Sequence, residues 1–95
     1  MEIRIEGANI FSEQDFHSQL ARELGVQQFY GKNLDALWDL LSAGVEWPLV
    51  LTWKDHKVSE GRLGSKFNRI IGVLNEVRSR GDSFKLKEGF LYYLE

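Results

Sequence analysis

Ninety-five residues are too few for two cores of ordinary size, so one domain spanning 1–95 is expected. A content of 43% hydrophobic and 27% charged residues is that of a soluble globule, and the lack of any cysteine excludes a disulfide framework and thiolate chemistry. The net charge of −2 selects no class of partner, while an opening Glu2-Ile3-Arg4-Ile5 without a basic-then-apolar leader, and no apolar run of membrane-spanning length, lead us to expect a cytoplasmic protein with no membrane partner.

Ile3 and Ile5 share one face of an alternating stretch that Glu6-Gly7-Ala8-Asn9 ends in a turn, which predicts a first strand over Met1 to Ile5. Ser12, with Asp15 three residues on, makes a variant capping box, and Phe11 before it is placed to staple onto Phe16. Phe16, Leu20, Ala21 and Leu24 then form the apolar stripe of a first helix, closed by Gly25. His17 on this helix adjoins no nucleophile or metal-ligand cluster and reads as a structural hydrogen-bonder.

The next helix carries two faces. Gly31 lets the backbone turn into it, and Asn33 stands where an N-cap should, its side-chain oxygen placed to accept from a first-turn N–H. Leu34, Leu37 and Leu41, with Leu40 half a turn off, make a stripe to press on a core. Opposite lie Asp35, Trp38, Asp39 and Ser42, so two carboxylates about 6 Å apart along the axis flank an indole. Like charges at this spacing cost a helix about 0.2–0.5 kcal/mol, and no Lys or Arg within the helix offsets them. The helix dipole favours Asp35 in the first turn and does little for Asp39. A solvated acidic face is the ordinary reading of such a pair. The large amphipathic ring between the acids makes the face resemble a protein–protein hot spot instead.

Ala43-Gly44 ends this helix, and Leu49-Val50-Leu51-Thr52-Trp53 reads as a strand covered on both faces in a parallel sheet. Pro48 is the only proline, and an aromatic residue precedes it, which favours a cis peptide. Asp55 is placed to cap a short helix from His56 to about Arg62. After Gly64-Ser65, a stronger helix carries Phe67, Ile70, Ile71, Leu74 and Val77 on one face, with Gly81 as its terminator. Phe84 and Leu86 alternate with polar residues and predict a third strand. Glu88-Gly89 then turns the chain into Phe90 to Leu94, a fourth strand antiparallel to the third or one suited to pairing with another molecule. The order βααβααβ gives an α/β fold, a small three-stranded, mainly parallel sheet covered by helices, with a possible extra antiparallel strand at the end.

The run YGKNLDALWD, followed by Val45-Glu46-Trp47-Pro48-Leu49-Val50-Leu51 and Trp53, resembles the barstar family of intracellular ribonuclease inhibitors. The resemblance covers the chain from the first strand to about Leu86. It implies a cis Trp47–Pro48 peptide, and it implies a protein that blocks a basic, extracellular-type ribonuclease in a 1:1 complex. In that mode carboxylates occupy the subsites where Arg, Lys and His hold substrate phosphates. The resemblance makes Asp39 the principal phosphate mimic and Asp35 a second anchor, with Trp38 and Asn33 around them and Glu76 a further acidic contact on the last helix. A simple i, i+4 pair with Arg80 is an equally good reading of Glu76. Phe29 stands where the best-known member has tyrosine, so its ring can stack but offers no hydroxyl. Lys32 replaces an acid, and Ala43-Gly44 replaces Gly-Trp, which bears on which enzyme is the cognate one.

Charge distribution permits a basic protein partner. From Ser12 to Asp55 there are seven acids against Arg22, Lys32 and Lys54 alone, a polarity unsuited to nucleic acid on the central helix. Two other functions use the same residues. An enzyme would take Asp35, Asp39, Glu46 and His56 as metal ligands or acid–base groups, but it needs a concave site with a convergent third ligand, and a helix face bearing Trp38 is convex. An acidic adaptor for some other basic protein or toxin would use the face unchanged. No metal, cofactor or nucleotide is expected in the complex.

Overall fold

Successive side chains of a strand point to opposite faces, and that period of two organises the sheet. The computed structural model describes residues 1–83 and 89–95. Within them Glu2–Glu6 (β1), Leu49–Lys54 (β2) and Phe90–Leu94 (β3) form a parallel sheet in the order β1-β2-β3. Ile3 pairs with Leu51 and Ile5 with Trp53, while Leu49 pairs with Phe90. Paired residues share a face, so these six buried side chains form one floor. The opposite face carries Glu2, Arg4 and Glu6 on β1 and exposed Leu91 and Tyr93 on β3. The expectation of a central strand covered on both faces is corrected here. Val50, Thr52 and Lys54 of β2 are only half-buried, because the apolar residues of the helices gather on the floor side alone.

Parallel neighbours require crossovers, and each crossover is a pair of helices. Glu13–Leu24 (α1) and Leu34–Asp39 (α2) join β1 to β2, and His56–Leu63 (α3) and Ser65–Ser83 (α4) join β2 to β3. The βααβααβ order and the mainly parallel sheet are as the sequence predicts. Phe16 of α1 stacks on Trp53 at 4.8 Å between ring centroids, and Phe67 of α4 tilts against the same indole at 5.1 Å. Trp53 Nε1 donates to Ser59 Oγ, whose hydroxyl donates to the Gly7 carbonyl, so the buried polar atoms beside this aromatic cluster are satisfied. Gly7 is required there. A Cβ at that position would lie 2.2 Å from the Lys54 carbonyl oxygen and 2.5 Å from that of Asp55.

The capping box of Ser12 and Asp15 forms, and Gly25 ends α1 in the left-handed region at φ 68°. The Trp47–Pro48 peptide is cis. Four local expectations change. Phe11 is 66% exposed with the Arg62 guanidinium over its ring, rather than buried as a staple, because Arg62 also binds the Ala8 and Ile10 carbonyls and holds this turn from outside. Asp55 precedes α3 but adopts φ 51°, and its side chain makes no capping bond. The His56 N–H is met instead by the Glu95 carbonyl. The α4 helix runs past Gly81 to Ser83, since the roughly 1 kcal/mol cost of a helical glycine does not stop a helix with a well-packed apolar face. The strand expected at Phe84 and Leu86 lies outside the described residues. Phe90–Leu94, expected as a fourth and antiparallel strand, is the third strand and parallel to β2. Its alternation places Phe90 on the buried floor equally well in either direction, so direction follows from the crossover and not from the pattern.

Candidate functional site

Two short segments of backbone set the site. The first leaves α1 through Gly25 and makes a compact turn in which Val26 O accepts from the N–H groups of both Phe29 and Tyr30. Phe29 is 82% exposed on this ordered turn, while Tyr30 beside it is buried. Tyr30 is fixed from behind. Its hydroxyl lies 2.6 Å from His17 Nδ1, and His17 Nε2 lies 2.8 Å from a Glu13 carboxylate oxygen. An ionised carboxylate only accepts, so Nε2 carries the imidazole proton and Nδ1 accepts from the tyrosine hydroxyl. Burial lowers the His17 pKa from its ordinary value, outweighing the raising effect of Glu13, and burial raises that of Tyr30. The reading of His17 as a structural hydrogen-bonder holds.

The second segment is α2 itself. Lys32 takes a left-handed conformation at φ 55° and brings Asn33 to the cap, where Asn33 Oδ1 accepts from Ala36 N–H at 2.7 Å. Leu37 and Leu41 are fully buried, and Leu34 and Leu40 pack partly against the core. This anchoring turns Asp35 and Asp39 out to solvent with half-buried Trp38 between them. Among the described residues neither carboxylate has an ion-pair partner. The regular helix stops at Asp39. The Leu40 N–H is shared between the Ala36 and Leu37 carbonyls, and Leu40–Gly44 continues as a wider π turn before Val45 resumes extended backbone. Ser42 Oγ donates to the Trp38 carbonyl and Trp47 Nε1 to the Leu41 carbonyl, holding the widened turn.

Where the two segments face each other they leave an open cleft of about 440 Å³ lined by Val26, Phe29, Tyr30, Gly31, Ala36, Asp39, Leu40 and Gly44. The acidic face is therefore not simply convex, as the helix pattern suggests, for Asp39 lines a cavity that Phe29 lines as well. The cleft still offers little to catalysis. Its titratable lining is Asp39 and a Tyr30 whose proton is held more tightly than usual. No group of three or more His, Cys, Asp or Glu among the described residues converges as a metal site would require. A Cβ at Gly31 would approach that of Ala36 to 3.2 Å, so glycine keeps the cleft open at its α2 end.

The residues singled out in the sequence fall into three places. Phe29 and Asp39 line the same cleft. Asn33, Asp35 and Trp38 sit on or at the cap of α2, with Asn33 already engaged in capping. Glu76 is exposed on α4, which packs against α2. Arg80, one turn beyond Glu76, holds its guanidinium 5.8 Å from the centre of the Trp38 ring. Pattern reading gave Gly31 and Gly44 only as a turn and a helix end and assigned Tyr30 no role, so it did not foresee them as lining of one cleft. The available signal was a buried-face histidine that needs a hydrogen-bond partner, next to a Phe-Tyr-Gly run.

Comparison with known proteins adds to this geometry. Residues 1–89 match the family model described as Barstar (barnase inhibitor). A Bacillus subtilis (strain 168) protein named "Putative ribonuclease inhibitor YrdF" is 35% identical over 86 residues, covering 90% of this chain and 94% of the relative.

Proposed function

This chain belongs to the barstar family of ribonuclease inhibitors, not of enzymes, and from that premise we propose that it inhibits a basic, secreted-type ribonuclease in a one-to-one complex within the cytoplasm. Asp39 enters the enzyme's phosphate-binding site as a substrate mimic, and Asp35 adds a second anion one turn away. Phe29 lays its ring on the enzyme across the cleft. Trp38 and Asn33 supply surrounding contact, and Glu76 extends the acidic surface onto α4. No metal or nucleotide takes part.

The observation that carries this reading is that an exposed carboxylate with no ion-pair partner among the described residues lines the same cleft as an exposed aromatic ring. Charge-assisted hydrogen bonds to a guanidinium or ammonium are the strong kind, about twice a neutral bond, and they give a naked carboxylate a use outside the molecule. A rigidly presented aromatic is the common form of an interface anchor. Titrating the chain into RNA-hydrolysis assays of small basic bacterial ribonucleases, barnase among them, tests the reading. At least one enzyme should lose its activity at one equivalent, with or without chelator. Full activity of every enzyme at large excess of the chain would contradict it.

A further inference from the structure

Lys32 is the single cation between Arg22 and Lys54, in the stretch of chain that supplies the whole lining of the cleft. It stands between Gly31, which lines the cleft, and Asn33, which caps α2. Its backbone lies in the left-handed region at φ 55°, a conformation that costs a residue with a side chain and that glycine adopts freely. Gln14 Nε2 of α1 donates to the Lys32 carbonyl at 3.1 Å and ties the residue to that helix. The side chain offsets none of the backbone cost. Among the described residues its ammonium has no hydrogen-bond or ion-pair partner, Asp35 and Asp39 included. No buried side-chain nitrogen or oxygen among them lacks a partner, so the unpartnered ammonium of this half-buried residue reaches solvent. Burial is the main reason that the His17 pKa is low, and the Lys32 charge adds least to it, which is a repulsion and not a bond.

Resting on the inhibitory reading above, we propose that Lys32 is a specificity-determining residue of this surface. Its ammonium pairs with a carboxylate that the cognate nuclease presents beside its phosphate site, and it turns away nucleases that present Lys or Arg there. A strained residue whose side chain has no partner in its own fold is explained when the partner lies in another molecule. Discrimination between similar partners often depends on a repulsive element, and a like charge met at contact distance is an effective one. The acids of α2 attract every basic nuclease alike. Lys32, three residues before Asp35, is placed to tell them apart.

The probes are barnase and those other small basic bacterial ribonucleases that the chain inhibits. Each is measured with the parent chain, Lys32→Ala, Lys32→Gly, Lys32→Arg, Lys32→Glu and Asp39→Ala, after a check of every variant by thermal unfolding. Association and dissociation rates are taken by stopped flow at low and high salt. Lys32→Ala should weaken the tightest complex about tenfold, mainly through faster dissociation, and Lys32→Glu should weaken it further. Lys32→Arg should stay near the parent. Looser complexes should weaken less or tighten, so that the spread of affinities narrows. Lys32→Gly should unfold no more easily than the parent, because glycine takes this backbone conformation without strain, and should bind as Lys32→Ala does. A tightest complex that Lys32→Ala leaves unchanged or makes tighter would overturn the proposal. So would a change confined to the association rate and lost in high salt, which would make Lys32 only a remote charge. If Asp39→Ala loses affinity while Lys32→Ala does not, the inhibitory reading stands without this proposal. Failure of the inhibitory reading is separate, and it would be seen as Asp39→Ala binding as well as the parent.

Discussion

His17 shows how a buried residue far from the acidic helix shapes the site. It is fully buried, and it holds Tyr30 by one ring nitrogen while the other donates to Glu13. Burial depresses its folded-state pKa below the ordinary 6.5, so the folded state prefers the neutral ring. The unfolded chain then takes up the proton first as pH falls. The stability contributed by neutral His17 is complete above pH 6.5 and is lost between that value and the lower folded-state pKa. Urea unfolding between pH 7 and pH 5 should show stability falling with pH, and His17→Gln should flatten that slope while lowering stability at neutral pH. An equally steep slope in the variant would place the acid sensitivity elsewhere. Protonation of the folded protein comes only at the lower end of that range, and it turns Nδ1 from an acceptor of the Tyr30 hydroxyl into a donor toward it.

At the scale of elements, α2 is short and depends on its ends. Its six regular residues cannot sustain a helix alone, so the Asn33 cap and the buried Leu37 and Leu41 carry it. Asn33→Ala should lower stability by about 1 kcal/mol, within the usual range for loss of an N-cap, measured by urea unfolding. Gly7→Ala, where a Cβ meets backbone oxygens of β2 and the turn after it, should cost more, about 1–3 kcal/mol or a failure to fold. This element was legible in the sequence because its signals are periodic: leucines at helical spacing, a capping asparagine, and acids on the opposite face. The cleft beside it was not. It arises where a turn after α1 meets the π turn after Asp39, and neither shape has a repeating pattern. The direction of β3 was hidden for a related reason, since an alternation of period two reads the same both ways. Arg80 was visible as a helix neighbour of Glu76, but its place over Trp38 depends on how α4 crosses α2.

For the whole molecule, the sheet floor and helices α1 to α4 form a platform that holds out Asp35 and Asp39 on one short helix. Attraction to a basic enzyme should raise the association rate above the unsteered range of about 10⁵–10⁶ M⁻¹s⁻¹, and added salt should slow it. A rate indifferent to salt would point to an apolar interface, to which exposed Leu91, Tyr93 and Leu94 of β3 would contribute. Stability and binding then make opposite demands on Asp39. It ends the regular part of α2, where a negative charge is unfavourable to the helix dipole, and it lies one turn from Asp35. The most direct measurement of the account is therefore a pair made on Asp39→Ala: unfolding of the free domain and titration against the nuclease it inhibits. The free variant should be as stable as the parent or gain up to about 1 kcal/mol. Its affinity should fall by about 2–5 kcal/mol or more, a range drawn in part from the barnase–barstar pair itself, because the enzyme's cations are left without their partner. A variant that unfolds markedly more easily yet binds as tightly as the parent would make Asp39 a structural residue and contradict the account.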